Sequence, residues 1–215
     1  VPTPTPTPTQ ITTCTQITQS GDYYLVSDII DSSNTTCIAI QSSNVMFDCQ
    51  GHTIDGILLQ NSKGIEVANS NNVTVKNCIL TDWINAIRFV NSNNSLIINN
   101  TISVYLTDTN RWPDSIVIDG NITNLVILNN SITAYNINAS YGASWIILAS
   151  GIQNNIEIAY NILETNSTVI GLGLGSSSGT LYNENISIHD NLIGNLTEGN
   201  PIVCSQLANC YNCSF

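Results

Sequence analysis

Two aspartates and a histidine in one short segment, Asp48, His52 and Asp55, have the residue types that sugar chemistry needs. Glycoside hydrolysis uses two carboxyl groups about 5–9.5 Å apart, one as proton donor and one as base or nucleophile. Asp48 and Asp55 would meet this requirement if both faced one groove. The interpretation that we favour is that they are corner or turn residues, and we assign no catalytic residue.

Glu66 and Arg88 occupy equivalent places in two similar segments, Ile-Glu-Val and Ile-Arg-Phe. We expect them to lie one above the other on an outer face, as an ion pair that contributes under about 1 kcal/mol if exposed. The same position in later segments holds Val117 and Ile147. Because exposed apolar surface commonly marks an interface, Val117 and Ile147 predict a protein contact. The alternative is that a loop from 103–115 or 134–144 covers them.

No other grouping in the sequence indicates a reactive centre. The spacings typical of a metal-ligand cluster, an activated nucleophile or a phosphate-binding loop are missing from the chain. We therefore expect no cofactor and no metal.

The elements that carry these residues are short Ile- and Val-rich runs with period-two alternation, which is typical of strands. Asparagines followed two residues later by an aliphatic residue recur at spacings of about 20 to 30 residues, and such periods indicate a solenoid. The sequence predicts an all-β, right-handed parallel β-helix of about six coils, preceded by an extended Pro/Thr segment. We place the tail at 1–13, the β-helix at 14–203 and a Cys-rich tail at 204–215.

The recurring asparagines predict an asparagine ladder, in which side-chain amides at one corner bond from coil to coil. Asparagine also tolerates the left-handed backbone of a sharp corner, so simple turn residues are the alternative. The predicted ladder residues are Asn77, Asn100, Asn130, Asn161 and Asn191.

Three segments resemble the pectate-lyase-like β-helix repeat family, which includes carbohydrate-binding and sugar-hydrolase repeats and NosD-like periplasmic proteins. They are 44–56 (Asn-Val-Met-Phe-Asp-Cys-Gln-Gly-His-Thr-Ile-Asp-Gly), 64–79 and 91–102. The resemblance covers roughly residues 22–200. It implies the fold, and it leaves the function open because one fold serves many functions.

Seven cysteines and many glycosylation motifs point to an oxidising, extracellular or cell-surface location. Eleven Asn-X-Ser/Thr motifs are candidate glycosylation sites: Asn34, Asn72, Asn93, Asn99, Asn121, Asn129, Asn138, Asn166, Asn185, Asn195 and Asn212. The motifs in predicted turns are the better candidates, because ladder asparagines point inward. These are Asn72, Asn93, Asn121, Asn138, Asn166, Asn185 and Asn195.

The cysteines suggest pairings between neighbouring coils. Cys14 with Cys37 could pin the first coil, and Cys49 with Cys78 could join the next two. In the tail, Cys204 could pair with Cys210 or Cys213, which leaves one cysteine for another subunit. Zinc binding by these three is the less favoured alternative, because a fourth ligand is missing.

The charge excludes some partners. The chain has a net charge of −11 with four basic residues, so it has no basic stripe for nucleic acid. It also has no apolar run long enough to enter a membrane. The open ends of a β-helix, the apolar column and the odd cysteine favour head-to-tail association with copies of itself. We therefore expect a non-enzymatic, glycosylated subunit of a cell-surface filament or surface layer. The alternatives are a secreted polysaccharide lyase, hydrolase or carbohydrate-binding module, and a monomeric stalked adhesin.

Overall fold

The computed structural model describes residues 7–106, 114–136, 144–148, 151–165, 170–174, 181–194, 202–204 and 208–211. In these ranges the chain is all β, with no helix, and its strands form three parallel sheets that stack coil upon coil. None of the described residues forms a helix that could cross a membrane. The predicted fold class is confirmed as a parallel β-solenoid, whereas its right-handed sense stays a prediction.

The chain visits the three sheets in a repeating order. The nine-stranded sheet contains β1 (Thr9–Ile11), β3 (Gly21–Leu25), β6 (Val45–Asp48), β9 (Val73–Lys76), β12 (Ser95–Ile98), β15 (Ile122–Leu128), β18 (Ile152–Ala159), β21 (Leu181–His189) and β24 (Ala208–Tyr211). The seven-stranded sheet contains β4 (Ile29–Ser32), β7 (Thr53–Gly56), β10 (Ile79–Thr81), β13 (Thr101–Leu106), β16 (Ser131–Asn136), β19 (Ile162–Thr165) and β22 (Leu192–Gly194).

The eight-stranded sheet contains β2 (Thr15–Ile17), β5 (Thr36–Ile40), β8 (Lys63–Ala68), β11 (Asn85–Val90), β14 (Asp114–Asp119), β17 (Ser144–Leu148), β20 (Ile170–Leu174) and β23 (Ile202–Cys204). Because seven described strands pass through the seven-stranded sheet, the number of coils differs slightly from the predicted six. The stack also includes β1 and β24, which lie in segments that the sequence analysis assigned to tails.

The core is a set of aliphatic columns that run along the solenoid axis. Val75, Ile97, Ile127 and Ile158 are register partners in successive strands of the nine-stranded sheet, and all four are buried. Branched aliphatic side chains fill the narrow interior well because they pack on a pleated surface. Alternation then places the intervening residues on the outer face of each sheet, where they are available for binding.

The sharp corners are built by residues in the left-handed region. In one column, Asn72, Asn94, Asn124, Asn155 and Asn185 have φ values of 56, 54, 58, 55 and 54°. Asparagine adopts this conformation at lower cost than most residues, which explains why the sequence is so rich in asparagine between strands.

Candidate functional site

A charged cluster crosses three strands on the outer face of the eight-stranded sheet. Arg88 in β11 lies between Glu66 in β8 and Val117 in β14 in the strand register. Its Nη1 atom donates to Glu66 Oε1 at 2.9 Å, and its Nη2 atom donates to Asp119 Oδ2 at 2.6 Å. The Nζ atom of Lys63 lies 3.7 Å from Glu66 Oε1. Two cations and two carboxylates therefore form one connected network.

Asp119 is the member of this cluster that the sequence analysis did not connect to Arg88. In the register it pairs with Val90 and not with Arg88, so it reaches the guanidinium diagonally across the sheet. A diagonal neighbour on one face of a sheet is still within reach of a long side chain, and this rule was the signal available in the sequence.

The cluster lies where two neighbouring shallow grooves adjoin, and together we name them the axial groove. The first half has a volume of about 370 Å³ and is lined by Cys14, Thr15, Gln16, Asn34, Thr36, Cys37, Ala39, Gln41 and Glu66. The second half has a volume of about 410 Å³ and is lined by Asn61, Lys63, Asn85, Arg88, Asp114, Val117 and Asp119. Both volumes lie within the range of small-ligand sites. The lining is mainly amide, hydroxyl and charged side chains.

Val117 does not form the exposed apolar strip that the sequence analysis predicted. It is only 7% exposed and lies in the second half of the axial groove, beside Arg88 and Asp119. The alternative cover that the sequence analysis named, a loop from 103–115 or 134–144, lies largely outside the described residues. The side chain of Ile147 lies outside the described residues, although its backbone pairs with Val117 in the register.

Asp48 is a corner residue and is separate from Asp55. It lies 3.3 Å from Lys76 Nζ and accepts hydrogen bonds from Asn77 Nδ2 at 2.9 Å and from the backbone N–H of Gln50 at 2.8 Å. Burial acts to raise the pKa of Asp48. The two hydrogen bonds and the charge of Lys76 outweigh burial, so the pKa lies below its usual value. The alternative role of Asp48 as a catalytic partner of Asp55 has no support in this geometry.

His52 contacts neither Asp48 nor Asp55, the two residues with which its sequence position grouped it, and its partner is Asp28. Its Nδ1 atom lies 3.0 Å from Oδ1 of Asp28. The same carboxylate oxygen accepts the backbone N–H of Thr53 at 2.9 Å. That backbone hydrogen bond, followed by the contact with His52, lowers the pKa of Asp28.

Asp55 belongs instead to an acidic cluster with Asp31 and Asp82 at one end of the seven-stranded sheet. It accepts a hydrogen bond from the Thr81 hydroxyl and one from the backbone N–H of Asp31. Burial raises the pKa of Asp82, and the charges of Asp55 and Asp31 raise it further against an opposing hydrogen bond from the backbone of Tyr105. The side chain of Tyr105 is exposed. Three residues from three coils meet here, and the sequence analysis did not group them.

A second polar cluster lies on the outer face of the nine-stranded sheet. His189 Nδ1 lies 2.9 Å from Asp190 Oδ2, and His189 Nε2 lies 3.2 Å from Glu157 Oε1. The ring of Tyr160 makes an edge contact with the imidazole. The hydrogen bond that the imidazole donates to Asp190, followed by the one to Glu157, raises the pKa of His189 against the effect of burial. Among the described residues, no group of three or more His, Cys, Asp or Glu is placed to hold a metal ion.

Four of the five predicted ladder asparagines bond to one another through the interior. Nδ2 of Asn100 donates to Oδ1 of Asn130 at 3.0 Å, Asn130 donates to Asn161 at 3.0 Å, and Asn161 donates to Asn191 at 2.9 Å. Asn77 lies outside this column, because Ile79 pairs with Thr101 and the ladder position is therefore Cys78. Asn77 is the left-handed corner residue before it.

A second, exposed asparagine column, not predicted from the sequence, runs along another corner of the solenoid. Asn72 donates to Asn44, Asn124 to Asn94 and Asn155 to Asn124, at 2.8, 2.7 and 2.7 Å. These residues follow the corner between the eight- and nine-stranded sheets. The equal spacing of Asn72, Asn94, Asn124, Asn155 and Asn185 relative to the strands was the signal that could have found them.

Two disulfides join neighbouring coils. Cys14 is bonded to Cys37, and Cys49 is bonded to Cys78. Disulfides are rare in the cytoplasm, so they indicate a non-cytoplasmic protein. The side chains of Cys204 and Cys210 and all of Cys213 lie outside the described residues.

The structure sorts the described glycosylation motifs by exposure. Asn93 is half-buried, and its Oδ1 atom accepts the backbone N–H of Thr123. Asn138, Asn166, Asn195 and Asn212 lie outside the described residues. The exposed motif asparagines are Asn34, Asn72, Asn99, Asn121, Asn129 and Asn185. Asn99 and Asn129, which the sequence analysis ranked lower, are thus as exposed as the others.

No family model matches the chain, and no curated protein matches it. Among solved structures, the chain is similar to the crystal structure of Dettilon tailspike protein, with a TM-score of 0.26 and 11% identity. The match covers 95% of this chain and 60% of the tailspike chain, so the chain spans less than two thirds of that protein's length.

The predicted subunit of a cell-surface filament or surface layer is wrong. The apolar column on which the prediction depended is replaced at Val117 by a groove lined with charged side chains. The first coil is poorly suited to strand addition, because β1 and β2 have three residues each and β4 contains an irregularity in register. Short and bulged edge strands oppose edge-to-edge pairing.

Proposed function

We propose that this chain is a secreted, extracellular carbohydrate-binding β-helix that holds an extended glycan in the axial groove. The observation that carries the proposal is that the two halves of the groove meet at Glu66, which lines the first half and contacts Lys63 and Arg88 of the second. The groove therefore follows the solenoid axis across β2, β5, β8, β11 and β14. Four inter-strand spacings give a length of about 19 Å.

The lining of the groove suits sugar hydroxyls. The lining includes the amides of Gln16, Gln41, Asn34 and Asn85, and a primary amide has two donor hydrogens and an acceptor oxygen. Nε2 of Gln16 donates to Oε1 of Gln41, and Nδ2 of Asn85 donates to the carbonyl oxygens of Ile84 and Asp114, so the other polar atoms of these amides are the ones open to a ligand. A sugar hydroxyl also donates and accepts, so the two groups are complementary.

Charge favours a neutral glycan over an acidic one. The groove cations Lys63 and Arg88 are engaged by Glu66, and Arg88 also by Asp119. Asp114 adds a third carboxylate to the lining, and the whole chain carries a net charge of −11. A polyuronate would approach a surface that repels it, whereas a neutral glycan would not.

The test is titration of the protein with neutral and uronic-acid oligosaccharides of equal length. The double variant Gln41→Ala/Asn85→Ala should lose about tenfold or more in affinity for the neutral ligand, at about 1 kcal/mol for each lost hydrogen bond. The matched control, Ser103→Ala/Thr133→Ala on the outer face of the seven-stranded sheet, should bind like wild type. Equal losses in the two variants, or binding of the uronate alone, would reject the proposal.

Hydrolysis at the acidic cluster is a second candidate function. The observation that favours it is the grouping of Asp31, Asp55 and Asp82 from three coils, in which burial and the neighbouring charges raise the pKa of Asp82, the direction found for general acids of this kind. In this scheme Asp82 gives the proton and Asp55 acts as base or nucleophile. Incubation with polysaccharides should release reducing ends, and Asp82→Asn should abolish the release. Turnover that survives Asp82→Asn would exclude this site.

A further inference from the structure

Asn34 lies in the connection between β4 and β5, at the rim of the axial groove. It is exposed and lines the first half of the groove together with Gln16, Gln41 and Glu66. It also begins an Asn-Thr-Thr motif, whose third residue, Thr36, lines the same half. One glycan acceptor is therefore part of the surface that the proposed function assigns to glycan binding.

We propose that Asn34 carries an N-linked glycan and that this glycan occupies the first half of the axial groove, in competition with external ligands. The inference rests on the proposed function, because the groove must bind sugar. In the attachment step, Nδ2 of Asn34 attacks the anomeric carbon of a phosphate-activated oligosaccharide. A C–N bond forms, the phosphate leaves with the bonding electrons, and the amide loses one proton.

Tethering gives the attached glycan its advantage over a free one. A ligand on a short flexible linker has an effective concentration in the millimolar range at the neighbouring site. If a free glycan binds the groove with a dissociation constant near 0.1 mM, the tethered glycan raises the apparent value about tenfold. An external glycan that occupies both halves of the groove must therefore displace the tethered glycan from the first half.

The chain provides a matched control for this competition. Asn129 is also exposed and begins an Asn-Asn-Ser motif, but it lies at the corner between β15 and β16 and not at the groove. A whole sheet, the seven- or the nine-stranded one, therefore lies between Asn129 and the axial groove on the eight-stranded sheet. Asn34→Gln and Asn129→Gln each remove one acceptor and keep an amide side chain.

The experiment uses the full chain from a host that attaches N-linked glycans, together with unglycosylated protein. Glycopeptide mass spectrometry should find Asn34 occupied, and glycosidase trimming should be slower at Asn34 than at Asn129 in the folded protein. Titration with a neutral oligosaccharide should show about tenfold tighter binding for Asn34→Gln than for wild type. Asn129→Gln should match wild type, and the unglycosylated protein should match Asn34→Gln.

An unoccupied Asn34, equal trimming of the two glycans, or unchanged affinity in Asn34→Gln overturns the inference. The proposed function fails in a different way, since no form of the protein, including the unglycosylated one, would then bind oligosaccharide. Binding by the unglycosylated protein that equals binding by an Asn34-occupied wild type keeps the proposed function and removes the inference.

Discussion

The backbone N–H of Cys78 donates to Oδ1 of Asn100 at 3.0 Å, in the same way that the N–H of Asn100 donates to Asn130. Cys78 therefore occupies the first position of the asparagine ladder. At this position a disulfide to Cys49 takes the place of an amide contact to the neighbouring coil. The ladder and the disulfide are two solutions to one problem, the linkage of stacked corners through the interior.

Asn130→Ala should destabilise the protein by about 3 kcal/mol. Nδ2 of Asn130 donates to the carbonyl oxygens of Ile97 and Leu128, and its Oδ1 accepts from Asn100. Truncation removes these hydrogen bonds and leaves the buried backbone N–H of Asn100, which donates to Oδ1 of Asn130, without its acceptor. An unsatisfied buried group costs about 1–3 kcal/mol, and the other lost hydrogen bonds add to this.

Chemical denaturation of protein made without glycans checks this value. The control is Asn129→Gly at the exposed neighbouring position, where φ is 52° and glycine is well accommodated. We expect a change below about 1 kcal/mol for the control. Similar losses in both variants would show that the ladder contributes no more than the corner.

Cys49→Ala/Cys78→Asn should be more stable than Cys49→Ala/Cys78→Ala by about 1–2 kcal/mol. Both variants lose the disulfide, whose removal costs about 2–4 kcal/mol. Only the asparagine variant can donate to Asn100 and to the carbonyl oxygen of Lys76, which the sulfur of Cys78 now contacts. Thermal melting under oxidising and reducing conditions measures both effects. If the alanine variant is the more stable, Cys78 is not a ladder position.

The period-two alternation was sufficient to predict the stacked parallel strands, because inward aliphatics recur in every coil. It was not sufficient to fix every corner. In two places a left-handed corner asparagine is followed directly by a ladder asparagine, at Asn99-Asn100 and Asn129-Asn130. Asn77 is a left-handed corner residue but is not a ladder residue. A pattern that counts asparagines cannot separate the two roles, and a shift of one residue exchanges the exposed and buried faces.

The candidate sites were less predictable than the fold. Glu66 and Arg88 could be paired because they share one column of the register. Asp119 lies on a diagonal, and Asp31 lies in the irregular strand β4, where the register shifts. The diagonal rule makes the contact between Arg88 and Asp119 possible but does not select it, and the irregularity of β4 cannot be read from the spacing along the chain.

Gly64→Ala should destabilise the protein by about 2 kcal/mol or more. A Cβ atom at Gly64 would lie 2.6 Å from Leu80 Cδ2 and 2.7 Å from the carbonyl oxygen of Ala86. The buried Trp83 closes the same space at 3.1 Å, so the neighbours cannot easily move away. Overpacking of this kind costs about 1–3 kcal/mol.

Equilibrium unfolding of Gly64→Ala is compared with that of Gly194→Ala. At Gly194 the nearest atoms to an added Cβ belong to the flexible side chain of Glu164, at 3.9 and 4.0 Å. We expect the control to unfold like wild type. If the free energy of unfolding of Gly64→Ala equalled that of wild type, the coils around Trp83 would be less tightly packed than described.

The contacts of His189 should make the last described coils more stable in weak acid than at neutral pH. Folding raises the pKa of His189, chiefly through its hydrogen bond to Asp190. The resulting stabilisation is complete below the unfolded value of about 6.5 and is lost as the pH rises through the folded value. Folding lowers the pKa of Asp190 through the same contact, and that stabilisation is lost only as the pH falls below about 4. The contribution of the pair is therefore greatest between about pH 4 and 6.5.

His189→Gln should have a lower melting temperature than wild type at pH 5.5, with a smaller difference at pH 8. Because the cluster is exposed, added salt should also reduce the difference at pH 5.5. A difference between the two proteins that is constant from pH 5.5 to 8 would show that His189 acts through packing and not through its charge.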